Sequence, residues 1–183
     1  MSQYIEHQEF VPKSEIPEEM PKGIAIKYYI CWPGEAKEIT TDSLRRILKN
    51  LRSGKWKNIF LTNNDNLEKN FMHLESGNNL YALQFVQDNT GGVGDDAAWF
   101  FTYDLEYLDS NEETDIECSD GQSVILRKYT TTDMNSVMAA IEYFIRTGKL
   151  WNGIQWMKSW REWVENDIKS AGNDKLRSVG QIK

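Results

Sequence analysis

Histidine and cysteine are scarce in this chain of 183 residues: His7 and His73 are the only histidines, Cys31 and Cys118 the only cysteines. A zinc site needs clustered Cys and His, and neither cysteine has a partner at ligand spacing, so no metal is expected there. A Ser-His-Asp triad has only His73 to draw on, because His7 lies in a polar N-terminal stretch. The expected role of His73 is that of an ordinary, partly buried imidazole, and no catalytic residue is assigned. Two cysteines without paired spacing read as reduced thiols. No run of about 18 apolar residues is present to span a membrane. The start MSQYIEHQEF has neither the basic nor the apolar region of a secretory signal, and a cytoplasmic protein with no membrane partner is expected.

A more local absence carries more information. Between Lys69 and Arg127 there is no lysine or arginine, while twelve acids fall in that interval: Glu75, Asp88, Asp95, Asp96, Asp104, Glu106, Asp109, Glu112, Glu113, Asp115, Glu117 and Asp120. The interval carries -12, and the other sixteen acids and 21 bases leave +5 on the rest, so the net -7 averages two unlike regions. A concentrated negative field repels phosphate and attracts a basic protein surface. Direct nucleic-acid binding is therefore not expected, and a basic protein partner is. Acids also cluster on solvated loops for solubility alone, and Asp109 to Asp120 has the composition of a flexible hairpin tip.

Against these absences stand seven Trp, eight Tyr and seven Phe, enough bulky apolar surface for a folded chain despite a mean hydropathy of -0.61. The length suits one domain. Residues 1 to 22, with Pro12, Pro17 and Pro21, read as an extended or mobile arm, residues 23 to 171 as the domain, and residues 172 to 183 as a flexible tail. Ile24, Ile26, Tyr28, Ile30 and Trp32 alternate as a strand does. A helix over 42 to 53 follows from Leu44, Ile47, Leu48 and Leu51, capped by Thr41 or Asp42 and closed by Gly54. Asn58 to Thr62 and Lys69 to Leu74 form a hairpin, and Leu80 to Gln87, Ala97 to Leu108 and Ser123 to Tyr129 continue an antiparallel meander.

In the Ala97 to Leu108 strand, Trp99, Phe101, Tyr103, Leu105 and Tyr107 share a face assigned to the core. Thr102, Asp104 and Glu106 share the other, which puts two carboxylates on a rigid strand. A threonine caps a helix over 133 to 147 with the stripe Met134, Val137, Met138, Ile141, Phe144 and Ile145, and Gly148 stops it. Leu150 to Met157 returns as a short strand. Ser159 and Glu162 have capping-box spacing, which predicts a last helix to about Ala171.

Three further patterns are weighed and set aside. Asp109, Asn111, Glu113 and Asp115 alternate like a calcium loop, but Thr114 stands where that loop needs Gly. Gly91-Gly92-Val93-Gly94 fits neither nucleotide-binding spacing, and Asp88, Asp95 and Asp96 would repel phosphate. Trp151, Trp156, Trp160 and Trp163 have the means to stack on bases or sugars, but packing roles suit this acidic setting better.

The run Ser123-Val-Ile-Leu-Arg-Lys-Tyr-Thr-Thr-Thr-Asp-Met134, then Ala139-Ala-Ile-Glu-Tyr-Phe-Ile-Arg-Thr-Gly-Lys-Leu150 and Gly153-Ile-Gln-Trp156, resembles the end of the first-numbered family of bacterial polymorphic-toxin immunity proteins. The resemblance is carried by Phe144, Thr147, Gly148, Ile154 and Trp156. It implies a non-enzymatic α+β protein, without cofactor, that binds a cognate toxin domain and blocks it. Family targets include nucleases and deaminases, whose substrate grooves are basic.

The expectation is thus a single α+β domain, a mainly antiparallel sheet of about six strands packed by two to three helices. Asp95, Asp96, Asp104, Glu106, Asp109, Glu112, Glu113 and Asp115 would meet the toxin, and Phe144, Gly148 and Trp156 would be structural. The rival classes are a small-molecule or metal-binding enzyme using clustered carboxylates, which needs acids converging in a pocket, and an adaptor or chaperone for an effector.

Overall fold

Two registered rows of apolar side chains decide which face of the sheet is inside. Ile59, Leu74 and Leu83 lie opposite one another on three adjacent strands, and Leu61, Met72, Phe85 and Phe100 form the next row across four. All seven are at most 7% exposed. The structure, a computed structural model, describes residues 3–14, 19–30, 35–64, 70–87 and 99–164.

The elements in chain order are β1 (Gln3–Val11), β2 (Tyr28–Ile30), β3 (Ala36–Glu38), α1 (Thr41–Arg52), β4 (Asn58–Thr62), β5 (Phe71–Gly77), β6 (Leu80–Val86), β7 (Trp99–Phe101), α2 (Met134–Thr147) and β8 (Trp156–Val164), with short 3-10 turns at Leu105–Tyr107 and Arg127–Tyr129. The fold is α+β. Among the described residues eight strands make one sheet in the order β1-β8-β7-β6-β5-β4-β2-β3, every pairing antiparallel.

Both helices contribute to the core on one face of this sheet. Leu44, Ile47 and Leu51 of α1 are buried, as are Val137, Met138, Ile141, Phe144 and Ile145 of α2. Phe144 meets Phe85 edge to face at 5.6 Å between ring centroids, a favoured aromatic geometry. The caps lie a residue from their expected places. Thr40, not Thr41 or Asp42, caps α1 in a reciprocal box with Ser43. Asp133, not a threonine, caps α2 by accepting from Ser136 N–H at 3.1 Å. Gly148 ends α2 in the left-handed conformation, φ 69°, which lets its N–H reach the Phe144 carbonyl at 2.7 Å. The carbonyl of Ile145 accepts from Ala25 and Ile26, so part of the expected strand at 24 to 32 serves as a helix terminator; among its described residues only Tyr28–Ile30 is strand, and residues 31 and 32 lie outside the described residues.

Four expectations are overturned, each by a longer-range contact. Gln3–Val11 is extended, but it is an integral strand paired along its length with β8, from Gln3 opposite Val164 to Val11 opposite Trp156. Ser159 does not cap a helix: Trp156–Val164 is one strand, and ladders to β1 and β7 override the helical spacing of Trp160 and Val164. The part of that expected helix beyond residue 164, and the tail at 172 to 183, lie outside the described residues. The Ser123 to Tyr129 strand is replaced by an isolated bridge, Glu113 to Leu126, and a 3-10 turn.

The fourth correction matters most. Of the strand expected over 97 to 108, the described residues 99–108 are strand only at Trp99–Phe101, and its faces are reversed: Phe100 is in the core, whereas Trp99 is 38% and Leu105 68% exposed. Three consecutive aromatics leave alternation unable to choose a face, and a one-residue shift exchanges the two sides. Here the row of Phe85 fixes Phe100 inward. Thr102, 3% exposed, then ends the strand: its hydroxyl takes the N–H of Leu83 at 3.0 Å and sits 3.2 Å from the carbonyls of Tyr81 and Tyr129.

Trp156 is fully buried, and its indole N–H donates to the Trp151 carbonyl at 2.8 Å. Trp156→Ala should lower unfolding free energy by about 3 to 5 kcal/mol, the range for emptying a buried aromatic site. Urea denaturation measures this, and a loss below about 1 kcal/mol would mean that the core collapses around the gap.

Candidate functional site

The acidic segment after β7 is tied to the 125–128 segment by backbone hydrogen bonds and reaches the sheet at Ile116 and Ser119. Asp104 N–H reaches the Lys128 carbonyl at 3.1 Å, Arg127 N–H the Glu112 carbonyl at 2.8 Å, and Thr114 N–H the Ile125 carbonyl at 2.9 Å. Ile116 is 5% exposed and packs over Gly77, where a Cβ would stand 3.6 Å from the Ile116 backbone. Ser119 donates its N–H to Glu75 Oε1 at 2.9 Å, and its hydroxyl donates to the same oxygen. This is a clamped loop, not the flexible hairpin tip its composition suggests.

The acids assigned to partner binding separate into three groups. Asp95 and Asp96 lie outside the described residues. Asp104 is not on an outward strand face. Its side chain is 18% exposed, caps the 3-10 turn through Glu106 N–H at 3.2 Å, and pairs with Arg127 at 2.9 Å. The Arg127 guanidinium in turn sits 4.9 Å from the centroid of the Tyr107 ring. Glu106, on that turn and not on a strand, is exposed, as are Asp109, Glu112, Glu113 and Asp115, and none of these five has an ion pair among the described residues. Glu112, Glu113 and Asp115 line one shallow depression with Tyr107 and Arg127. Glu117 is partnered by Lys57 at 3.2 Å. Asp120 is held by the N–H groups of Gln122 and Ser123 and the Ser123 hydroxyl, which bring its carboxyl down to about 2.

A second feature was not singled out in the sequence. On the face turned away from the helices, Phe60, His73, Gln84 and Phe101 form one cross-strand row, and Phe71, Val86 and Trp99 form the next. With the 118–125 turn as its far wall, this face makes a groove of about 480 Å³. Glu75 is only 6% exposed. His73 Nε2 is 3.2 Å from Glu75 Oε1, but out of line for a hydrogen bond, and Glu75 Oε2 has no donor. Burial raises the Glu75 carboxyl, but interaction with His73 and the two Ser119 donors outweighs it, and the net shift is below the usual 4.5. The sequence signal was available: Phe71, His73 and Glu75 alternate with Met72 and Leu74, an ionisable pair on one face of an otherwise apolar strand.

The groove does not assemble hydrolytic chemistry. The Ser119 hydroxyl is directed at a carboxylate and not at an imidazole. Burial, and then the Glu75 and Asp120 carboxylates, push the Cys118 thiol up, away from the thiolate a nucleophile needs. Among the described residues no three His, Cys, Asp or Glu side chains are placed to hold a metal ion, and no helix is long and apolar enough to cross a membrane. Compared with known proteins, the chain matches no family model, no curated protein and no solved structure at a significant level.

Two predictions follow the charges. A carboxylate whose folded pKa is depressed contributes stability that is full above its unfolded value and is lost as pH falls through the folded one. The urea midpoint of the wild type should therefore drop below pH 4.5, and Glu75→Gln should flatten that drop. Parallel pH profiles would show that folding does not depress the Glu75 carboxyl. Asp104→Lys removes a mostly buried ion pair and sets a like charge beside Arg127. It should cost about 2 to 4 kcal/mol, somewhat under the loss for a fully buried pair, whereas Glu106→Lys should stay within about 0.5 kcal/mol. Equal losses in urea melts would contradict the assignment of Asp104 to the interior.

Proposed function

We propose that this chain is an immunity protein: a cytoplasmic, non-enzymatic inhibitor that binds a cognate bacterial toxin domain and blocks it. The observation that carries the reading is the set Glu106, Asp109, Glu112, Glu113 and Asp115, exposed and without an ion pair among the described residues, on a loop hydrogen-bonded to the 125–127 segment. Unpaired acids on an ordered loop keep their field directed outward and lose little conformational entropy on docking. Such a surface suits a basic groove built for nucleic acid, and it makes direct nucleic-acid binding by this face unfavourable. The resemblance of residues 123 to 156 to the end of the immunity family supports the same reading from other residues.

Asp104 has no part in this surface, because Arg127 neutralises it. The contact is therefore centred on Glu112, Glu113 and Asp115, with Glu106 and Asp109 beside them in sequence.

The reading expects a toxin domain encoded beside this chain, and the test uses that domain. Cells making that toxin should be rescued by the wild type and not by a triple variant, Glu112→Lys, Glu113→Lys and Asp115→Lys, that keeps its melting temperature. The wild-type association rate should fall about tenfold or more between low and physiological salt, with a smaller change in dissociation. Full rescue by the triple variant, or a salt-independent association rate, would overturn the proposal.

A further inference from the structure

The reverse-face groove has the composition of a ligand site, and the exposed acids of residues 106 to 115 take no part in it. Its walls are aromatic. Phe60 stacks on Phe71 at 4.8 Å, Phe71 meets Trp99 edge to face at 6.4 Å, Trp99 lies parallel to Phe101 at 6.4 Å, and Phe101 contacts Tyr129 at 4.9 Å. Among the described residues no helix packs on these rings, and they remain partly exposed. The volume, about 480 Å³, falls within the range of small-molecule pockets.

The charge selects the ligand. Among the lining residues there is no lysine or arginine, while Glu75 and Asp120 supply two carboxylates. Ser119 occupies one oxygen of Glu75, but the other is buried without a donor, an unfavourable state for a charged group. Aromatic faces are negative at the ring, so cations are drawn to them. An anion would meet two carboxylates, and a neutral apolar molecule would leave Glu75 Oε2, the oxygen that neither Ser119 nor His73 faces, without a counter-charge. A bare metal ion finds no cluster of three ligands among the described residues. We propose that this groove binds a small organic cation, an alkylammonium with an apolar body: the body lies between the rings of Phe71, Trp99 and Phe101, and the ammonium is held by the field of Glu75 and Asp120.

The test is a matched series on the full chain by isothermal titration calorimetry, with 2-phenylethylammonium, 2-phenylethanol and 3-phenylpropionate sharing one ring. The ammonium should bind with a dissociation constant of about 1 mM or tighter, about tenfold tighter than the alcohol, and the carboxylate should not bind measurably. Glu75→Gln should reduce the advantage of the ammonium over the alcohol to about twofold or less. Trp99→Leu, at a partly exposed wall position, should weaken the ammonium and the alcohol alike, and it serves if the Glu75 variant does not fold. Equal affinity for ammonium and alcohol, ammonium binding untouched by Trp99→Leu, or no saturation by the ammonium up to about 10 mM, would overturn the proposal. The wild-type series decides without any variant, and it leaves the toxin-binding reading to its own test.

Discussion

One buried carboxylate ties the far end of the acidic segment to the sheet. Glu75 projects from β5 on the face opposite the helices and accepts both the N–H and the hydroxyl of Ser119. A carboxylate with so little exposure is tolerable only where donors meet it. Here those donors come from a loop 44 residues further along the chain. The same contact closes one end of the aromatic groove. Without it, a run of like charges would repel itself away from the sheet.

A second constraint is the parity of β7. With Phe100 locked against Phe85 in the core, Trp99 and Phe101 must point the other way and extend the aromatic row begun by Phe60 and Phe71. Thr102 then turns the chain out of the sheet, which brings Asp104 beside Arg127. One register choice therefore produces the exposed aromatic face, the start of the acidic loop and the neutralisation of Asp104. The two candidate surfaces are consequences of the same strand ending early.

Local periodicity made α1, α2, β4 and the β5 and β6 strands legible to within a few residues, because their apolar spacing admits one reading. The boundary strands were not legible. β1 and β8 stabilise each other across almost the whole sequence, a pairing that no local pattern encodes, and the Ser159 and Glu162 spacing imitated a helix start. The candidate site was partly legible. Charge alone picked out Glu106, Asp109, Glu112, Glu113 and Asp115 as a group, but the alternation that put Asp104 beside Glu106 on a strand could not foresee Arg127 at 2.9 Å. Glu75 was counted among the acids yet not distinguished from them. Its distinction comes from burial, and burial arises from the segment that folds over it.

The exposed acids stand on an ordered loop, bonded to the 125–128 segment and tied to the sheet through Ser119. Amide hydrogen exchange on the free protein tests it most directly, at the N–H groups of Thr114, Ser119 and Arg127, each bonded across to another segment or side chain. All three should be protected about a thousandfold or more, comparable to amides within β5 and β6. Exchange of Thr114 and Ser119 at the rate of an unstructured peptide, with the sheet amides still protected, would contradict it.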